Sequence, residues 1–549
     1  MNDAFVNIAA HLPAMGERQP HTLGVVFPEG RDAAGRVAYT HLTYRQLNRE
    51  SDRLALALTE YGIGRGMRTV LMVKPCLEFF ALTFTLFKMG AVPVFVDPGM
   101  GLKSLKTCLE EAEPEAFIGI PKAHIARLLL RWPRFQKLVT VGSKKGWGGA
   151  TLADLRARIG PDDVFSMART AADDLAAILF TSGSTGPPKG AVYTHGTFDA
   201  QVRLLKNTYD IQPGEVDLAT FPLFALFAPA LGMTAIVPDM DATRPAEVDP
   251  TKIIEAIENF GVTNMFGSPA LLNTVGRFGA AKGIQCGSLK RIISAGAPVS
   301  AEILRRFSQM LPDHAQIFTP YGATESLPVC NIGSKEILGG TAEATAQGKG
   351  VCVGRPVEEM EVRIMRISDE PVAEWHPDLE VASGEIGEVV VRGPVVTRKY
   401  FNRDQATKLH KMVDGDDIIR HRMGDLGYFD GKGRLWFCGR KAHRVHTESG
   451  TLYTVPVEGV FNAHPDVFRT ALVGKAGEGN VQTPVLCVEL EKGSVSRNRD
   501  KIVAELLELG SRHEHTRTIR DIRFISAFPV DIRHNAKIFR EKLALQVAG

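Results

Sequence analysis

The chain has 549 residues, 44% apolar and 23% charged, with a net charge of only +3. Those proportions suit a globular protein of several folding units and exclude a disordered or fibrous chain. No Lys/Arg-rich run tracks a nucleic-acid backbone, so nucleic acid is not an expected partner; the seven cysteines, scattered and without a C-x-x-C pair, point to reduced thiols rather than a disulfide framework or a zinc site.

The opening stretch MNDAFVNIAAHLPAMGERQP carries an early acid and no basic segment before an apolar core. It does not read as a signal peptide, and a cytoplasmic location is expected. From residue 40 to 170 helix-like and strand-like segments alternate. LEFFALTFTLFKMG has helical spacing and closes at Gly90, AVPVFVDP reads as a buried strand closed by Asp-Pro, and EAFIGI and KLVTVG are further short strands. AAILFTS, VTNMFGS and LKRIISAG continue the pattern, each a β-rich run opening into a polar or glycine turn. This alternation predicts an α/β fold whose large N-terminal domain is layered around buried, largely parallel strands. The uncharged run Leu218–Val237 has the length of a bilayer span, but Pro222, Pro229 and Gly232 interrupt it. It is expected to be buried, or to wall an apolar substrate pocket, with membrane contact at most peripheral. From about 345 to 440 close-spaced strands and turns, as in GEIGEVVVRGP and GYFDGKGRLWFCGRK, predict a small β-rich subdomain. Residues 441–549 alternate helix and strand again, so the expected division is an N-terminal domain of 1–440 and a small α+β C-terminal domain of 441–549.

After the strand-like run ending at Phe180 comes TSGSTGPPKG, residues 181–190. Glycines let a backbone turn sharply and bring N–H groups close to phosphate oxygens; short hydroxyls and one lysine add donors and a point charge. Gly183 and Gly186 are too close, and two prolines precede Lys189, so this is not a Walker loop. Nor is it G-x-S-x-G, which removes a nucleophile role for Ser184. A plain Gly/Ser turn is the bland alternative.

With this loop the chain resembles the AMP-forming adenylating enzymes: acyl-CoA synthetases, luciferases and peptide-synthetase adenylation domains. LFKMGAVPVFVDP, SAGAPVS, YGATES, GEIGEVVVRGP, RMGDLGYFDGKGRLWFCGRK and AKIFREKL follow in the same order as that family's motifs and span nearly the whole chain. The resemblance implies ATP and Mg2+, and a C-terminal domain that moves. Thr181, Ser182, Gly183, Ser184, Thr185, Gly186 and Lys189 would hold the β,γ-phosphates. Ala295, Gly296, Ala297 and Pro298, with Tyr321 and Gly322, would cradle adenine; Thr324 would touch the α-phosphate and Glu325 would hold magnesium. Asp425, helped by Arg440, would grip the ribose hydroxyls, and Lys537 would stabilise the transition state, though Ala536 replaces the family's glycine before it.

Members of that family differ in what takes the acyl group. Most transfer it to a thiol, past a glycine in a segment after the hinge. Here the hinge position is Ala442, and a gapless alignment from Val445 to His464-Pro465 puts Glu448 and Ser449 where the family has arginine and glycine. Gly450 lies one place off, and Ala225 replaces a usual histidine in PLFAL. PLFALFAPALGMT, PEAFIGIPKAHIARLLLRW and CVGRPVEEMEVRIM are similar to the β-lactone-forming branch that serves bacterial long-chain olefin biosynthesis. That resemblance implies a long-chain 2-alkyl-3-hydroxy acid substrate, closing on its own hydroxyl, and assembly with other enzymes of the same route. A long-chain fatty acyl-CoA or acyl-carrier ligase, and a nucleotide-binding scaffold without activity, are the alternatives. His443, His446 and Glu448 are expected to face solvent, a general base for ring closure being their other reading.

Overall fold

A computed structural model describes residues 5–132, 134–143, 146–180, 187–221, 227–416, 418–477, 479, 481–494, 498–530 and 537–548. Two seven-stranded sheets form the body of the N-terminal part. One runs in space through Ala150–Thr151, Lys137–Thr140, Ala116–Gly119, Arg68–Met72, Val92–Phe95, Leu175–Phe180 and Gly190–Thr194. The other runs through Gln316–Phe318, Arg291–Ile293, Asn264–Phe266, Val216–Ala219, Thr234–Ile236, Leu23–Arg31 and Val37–Thr43. In each, every pairing is parallel except that with the last strand. Ala176, Ala177 and Ile178 are fully buried, as expected of a parallel strand covered on both faces.

The helix Leu77–Lys88 fills the space between the sheets. Phe79, Phe80, Leu82, Phe84, Leu86 and Phe87 are buried around its whole circumference, in one apolar cluster with Val25 of one sheet and Ala177 of the other. An all-round apolar helix belongs in such a place. The run 218–237 is broken as its prolines predict: the strand Val216–Ala219, the short helix Phe227–Leu231 and the strand Thr234–Ile236, mostly buried. Residues 222–226 lie outside the described residues. Among the described residues no helix is long and apolar enough to cross a membrane. The strands Leu23–Arg31 and Val37–Thr43 form a hairpin that the sequence reading did not anticipate; its first strand contains Pro28 and its second is half exposed, as an edge permits.

The β-rich subdomain is an eight-stranded antiparallel sheet that begins earlier than the expected 345, with Tyr321–Ala323 and Ser326–Asn331, and also contains Gly387–Arg392, Ile419–Phe429 and Leu435–Arg440. Beyond it, Val445–Thr447 and Gly450–Leu452 form a hairpin, and Val467–Ala476, Gln482–Leu490 and Asp521–Phe524 form a three-stranded sheet. Val445, Phe461, Leu472, Leu486 and Leu506 pack there into a separate apolar cluster. The helix Thr454–Phe461 rests on the preceding subdomain so closely that a Cβ at Gly459 would collide with the carbonyl of Thr345, and one at Gly348 with His515. Arg444 clasps both oxygens of Asp369 at 2.8 Å. The mixed α/β architecture, with a large N-terminal part, a β-rich sheet and a small C-terminal part, matches the expected fold class.

Candidate active site

Three predicted residues meet in the β-rich sheet. Asp425 and Arg440 face each other in the pairing of Ile419–Phe429 with Leu435–Arg440. The Tyr321 hydroxyl donates to Asp425 Oδ2 at 2.7 Å, while Arg440 Nη1 stands 3.0 Å from Oδ1 and donates to the Met423 carbonyl at 3.1 Å. Asp425 is buried, and its Oδ1 accepts no hydrogen bond among the described residues. Burial pushes the Asp425 carboxyl up; Arg440, Tyr321 and Lys537 pull it back. Lys537 therefore lies within electrostatic reach of a carboxylate that precedes it by a whole domain's length of chain.

The segment Ala295–Pro298 leaves the strand Arg291–Ile293 at the carboxyl end of its sheet, the place where open parallel sheets bind ligands. Gly296 holds φ +94, a turn that favours glycine. Ser294, two residues before it, is buried, its hydroxyl without a hydrogen bond among the described residues. Thr181, Ser182, Gly183, Ser184, Thr185 and Gly186 lie outside the described residues, as does Ala536. The loop's far end is described: Lys189 immediately precedes the strand Gly190–Thr194.

Around Lys189 is a cluster of residues that the sequence reading missed. Its Nζ lies 3.0 Å from His410 Nε2 and 5.2 Å from the centre of the Tyr400 ring. The Tyr400 hydroxyl donates to Glu325 Oε1 at 2.6 Å. The Glu325 carbonyl accepts from the Thr397 amide at 2.9 Å, and the Thr324 carbonyl from the Tyr193 hydroxyl. Lys411, buried, donates to the carbonyl and hydroxyl of Thr397 and lies 5.7 Å from the same Tyr400 ring. Burial lowers Lys189 and brings Lys411 down to about 7. Burial, then Lys189, lowers His410 to about 4. The one available signal was the polar pair His410-Lys411 at the head of a short apolar strand.

The altered segment after Ala442 is a hairpin with Glu448 and Ser449 exposed at its tip. His446 is exposed, as expected, with Nδ1 3.0 Å from Thr451 Oγ1. His443 differs from expectation: its side chain is 7% exposed, with Nε2 3.0 Å from Glu541 Oε1 and Nδ1 buried without a hydrogen bond among the described residues. The helix Arg540–Ala548, which carries Glu541, covers it. Burial and Arg540 lower its pKa to about 4.

The family model for the AMP-binding enzyme matches residues 17–401. The chain belongs to that family. As an AMP-binding enzyme it is an AMP-forming, adenylating one. It is 52% identical over 548 residues to an olefin beta-lactone synthetase of Xanthomonas campestris pv. campestris, covering 99% of this chain and 97% of the relative. It is 51% identical to an olefin beta-lactone synthetase of Stenotrophomonas maltophilia, covering 98% and 97%. In fold this AMP-binding enzyme is similar to an amide bond synthetase from Marinactinospora thermotolerans, with TM-score 0.79 and 21% identity over 98% of this chain and 99% of that one.

Proposed function

We propose that this enzyme activates a long-chain 2-alkyl-3-hydroxy fatty acid as its acyl adenylate, and that the acid's own 3-hydroxyl then displaces AMP to close a β-lactone. The observation that carries the reading is the 52% identity, along nearly the whole of both chains, to a protein named for olefin β-lactone synthesis. In the first step a carboxylate oxygen of the acid bonds to the α-phosphorus of ATP and the bond to pyrophosphate breaks. In the second, the hydroxyl oxygen bonds to the carbonyl carbon, the bond to AMP breaks, and the hydroxyl proton passes to a base or solvent. An internal nucleophile enjoys a high effective molarity, so the thiol-directed glycine that Ser449 replaces has no task here.

The residues fit ATP as substrate. Asp425 Oδ1 is buried beside Arg440 and accepts no hydrogen bond among the described residues, so it has capacity to accept from a ribose hydroxyl, and Tyr321 and Arg440 hold the carboxylate in place. Ala295, Gly296, Ala297 and Pro298 would offer backbone to the base, with Tyr321 and Gly322, and Thr324 would touch the α-phosphate. Lys189, with Thr181–Gly186, takes the departing phosphates. Lys537, carried by a mobile domain of 441–549, meets the charge that develops at the reacting phosphorus. Among the described residues no three His, Cys, Asp or Glu converge on a metal position, which suits Mg2+ held by one carboxylate, Glu325, and otherwise by phosphates and water. Bound there, Mg2+ neutralises phosphate charge. The enzyme would work in the cytoplasm beside the other enzymes of its route.

The test is mass spectrometry of the product formed from a synthetic 2-alkyl-3-hydroxy acid with ATP and Mg2+ and no CoA. A product lighter than the acid by one water, formed with AMP, is expected. AMP release that depends on added CoA would assign the enzyme to acyl-CoA ligation instead.

A further inference from the structure

Lys189 is a point charge on a flexible stem, and such a side chain needs a partner to select one direction. Its ammonium carries only donors, so a nitrogen 3.0 Å away must be an acceptor. His410 Nε2 is therefore unprotonated and the ring is neutral, with its proton on Nδ1. The imidazole is itself held. His410 ends the helix Asp404–His410, its carbonyl stands 3.1 Å from Nδ1 of buried His421, and its ring meets that of Tyr400 edge-on at 6.0 Å. On the other side, Lys189 is anchored through backbone: the Phe401 amide donates to the Gly190 carbonyl at 2.8 Å, and Ala191 bridges Tyr400.

We propose that His410 is the positioning residue of the phosphate-directed lysine: its neutral Nε2 takes one N–H of Lys189 and so sets the direction of the ammonium toward the phosphates that depart as pyrophosphate. This rests on the reading of Lys189 as a phosphate ligand. The neutral ring suits the task because it adds no second positive charge, which would push the ammonium aside when the site is empty. Partial burial against the rings of Tyr400 and His421 keeps it so.

The test is ATP–pyrophosphate exchange by the full-length enzyme with a 3-hydroxy fatty acid. Three single variants are compared with wild type: Lys189→Ala, His410→Phe and His410→Gln, with the double variant Lys189→Ala/His410→Phe. His410→Phe is expected to raise KM for ATP about tenfold while leaving KM for the acid unchanged. His410→Gln, whose amide oxygen can accept the same N–H, is expected to recover most of the loss. In the Lys189→Ala background His410→Phe should add nothing, because residues that act through one another are not additive. A His410→Phe enzyme with wild-type KM for ATP, beside an impaired Lys189→Ala, would overturn the positioning role alone. Equal loss in the Phe and Gln variants, or loss shared by both substrates, would also overturn it. A Lys189→Ala enzyme with unchanged KM for ATP would overturn the phosphate reading and this one with it.

Discussion

Tyr400 joins two residues that lie far apart in sequence: its hydroxyl holds Glu325 Oε1 at 2.6 Å while its ring lies 5.2 Å from the Lys189 ammonium. An acid proposed to face magnesium and a base proposed to face phosphate thus share one aromatic side chain. Tyr400→Phe separates the two functions. The ring and its attraction for the ammonium survive, while Glu325 loses a hydrogen bond to a charged acceptor, about 1.5–3 kcal/mol. The expected outcome is a higher Mg2+ requirement and a roughly tenfold or greater loss in pyrophosphate exchange, with Lys189 still in place. A magnesium titration of the exchange rate measures it; a curve coincident with wild type would remove Tyr400 from the magnesium end.

Lys537 and Asp425 act on each other electrostatically, yet their proposed roles divide between chemistry and binding. Lys537→Ala should retain ATP binding and slow adenylate formation by about 10²–10³, the usual scale for losing one transition-state donor. Asp425→Ala should instead weaken ATP binding itself. Calorimetric titration with a non-hydrolysable ATP analogue, set beside single-turnover release of pyrophosphate, tells the two apart.

Ring closure by an internal hydroxyl makes no demand that the C-terminal part swing away. Arg444, just past the hinge, clasps Asp369 of the β-rich subdomain at 2.8 Å. Asp369→Cys and Arg444→Cys joined by a short bis-maleimide would fasten the two parts. Cys76→Ser serves as background because the other cysteines are buried. The fastened enzyme is expected to go on making lactone at a substantial fraction of its unfastened rate. Accumulation of acyl-AMP without lactone would show that rotation is required.

Lys411 gives stability a pH dependence. Burial brings its folded-state pKa to about 7, from an ordinary 10.5. Between those values the unfolded chain holds a proton that the folded chain lacks, so this group makes stability rise with pH across that window. Below it both states are protonated and the cost of burying the charge is fully present. Lys411→Met should remove a slope of up to about 1.4 kcal/mol per pH unit. Urea denaturation between pH 7 and 10 would show it; an unaltered slope would place the titration elsewhere.

What could be read from sequence was whatever is local. Asp425 and Arg440 sit on two strands joined by a short Asp-Gly-Lys-Gly turn, so their meeting follows from one hairpin register. The buried, largely parallel strands were legible because runs such as Leu175–Phe180 alternate with helices. The place of Leu23–Arg31 in its sheet was not: Val25 pairs with Ala235, and nothing near Val25 announces a partner so distant. Tyr400, His410 and Lys411 escaped for the same reason. A tyrosine, a histidine and a lysine around a short helix look like solvated residues until Gly190–Thr194 is laid against them, and only the tertiary fold does that.

The backbone bond from Phe401 to Gly190 has a mechanical consequence. It welds the base of the phosphate loop to the segment that carries Tyr400, and Tyr400 in turn grips Glu325. A pull on Lys189 by a leaving anion is thereby transmitted, through covalent and hydrogen-bonded links only, to the carboxylate proposed to hold the anion's counter-ion. The two ends of the proposed triphosphate cradle are one lever, and pyrophosphate and Mg2+ are expected to leave together.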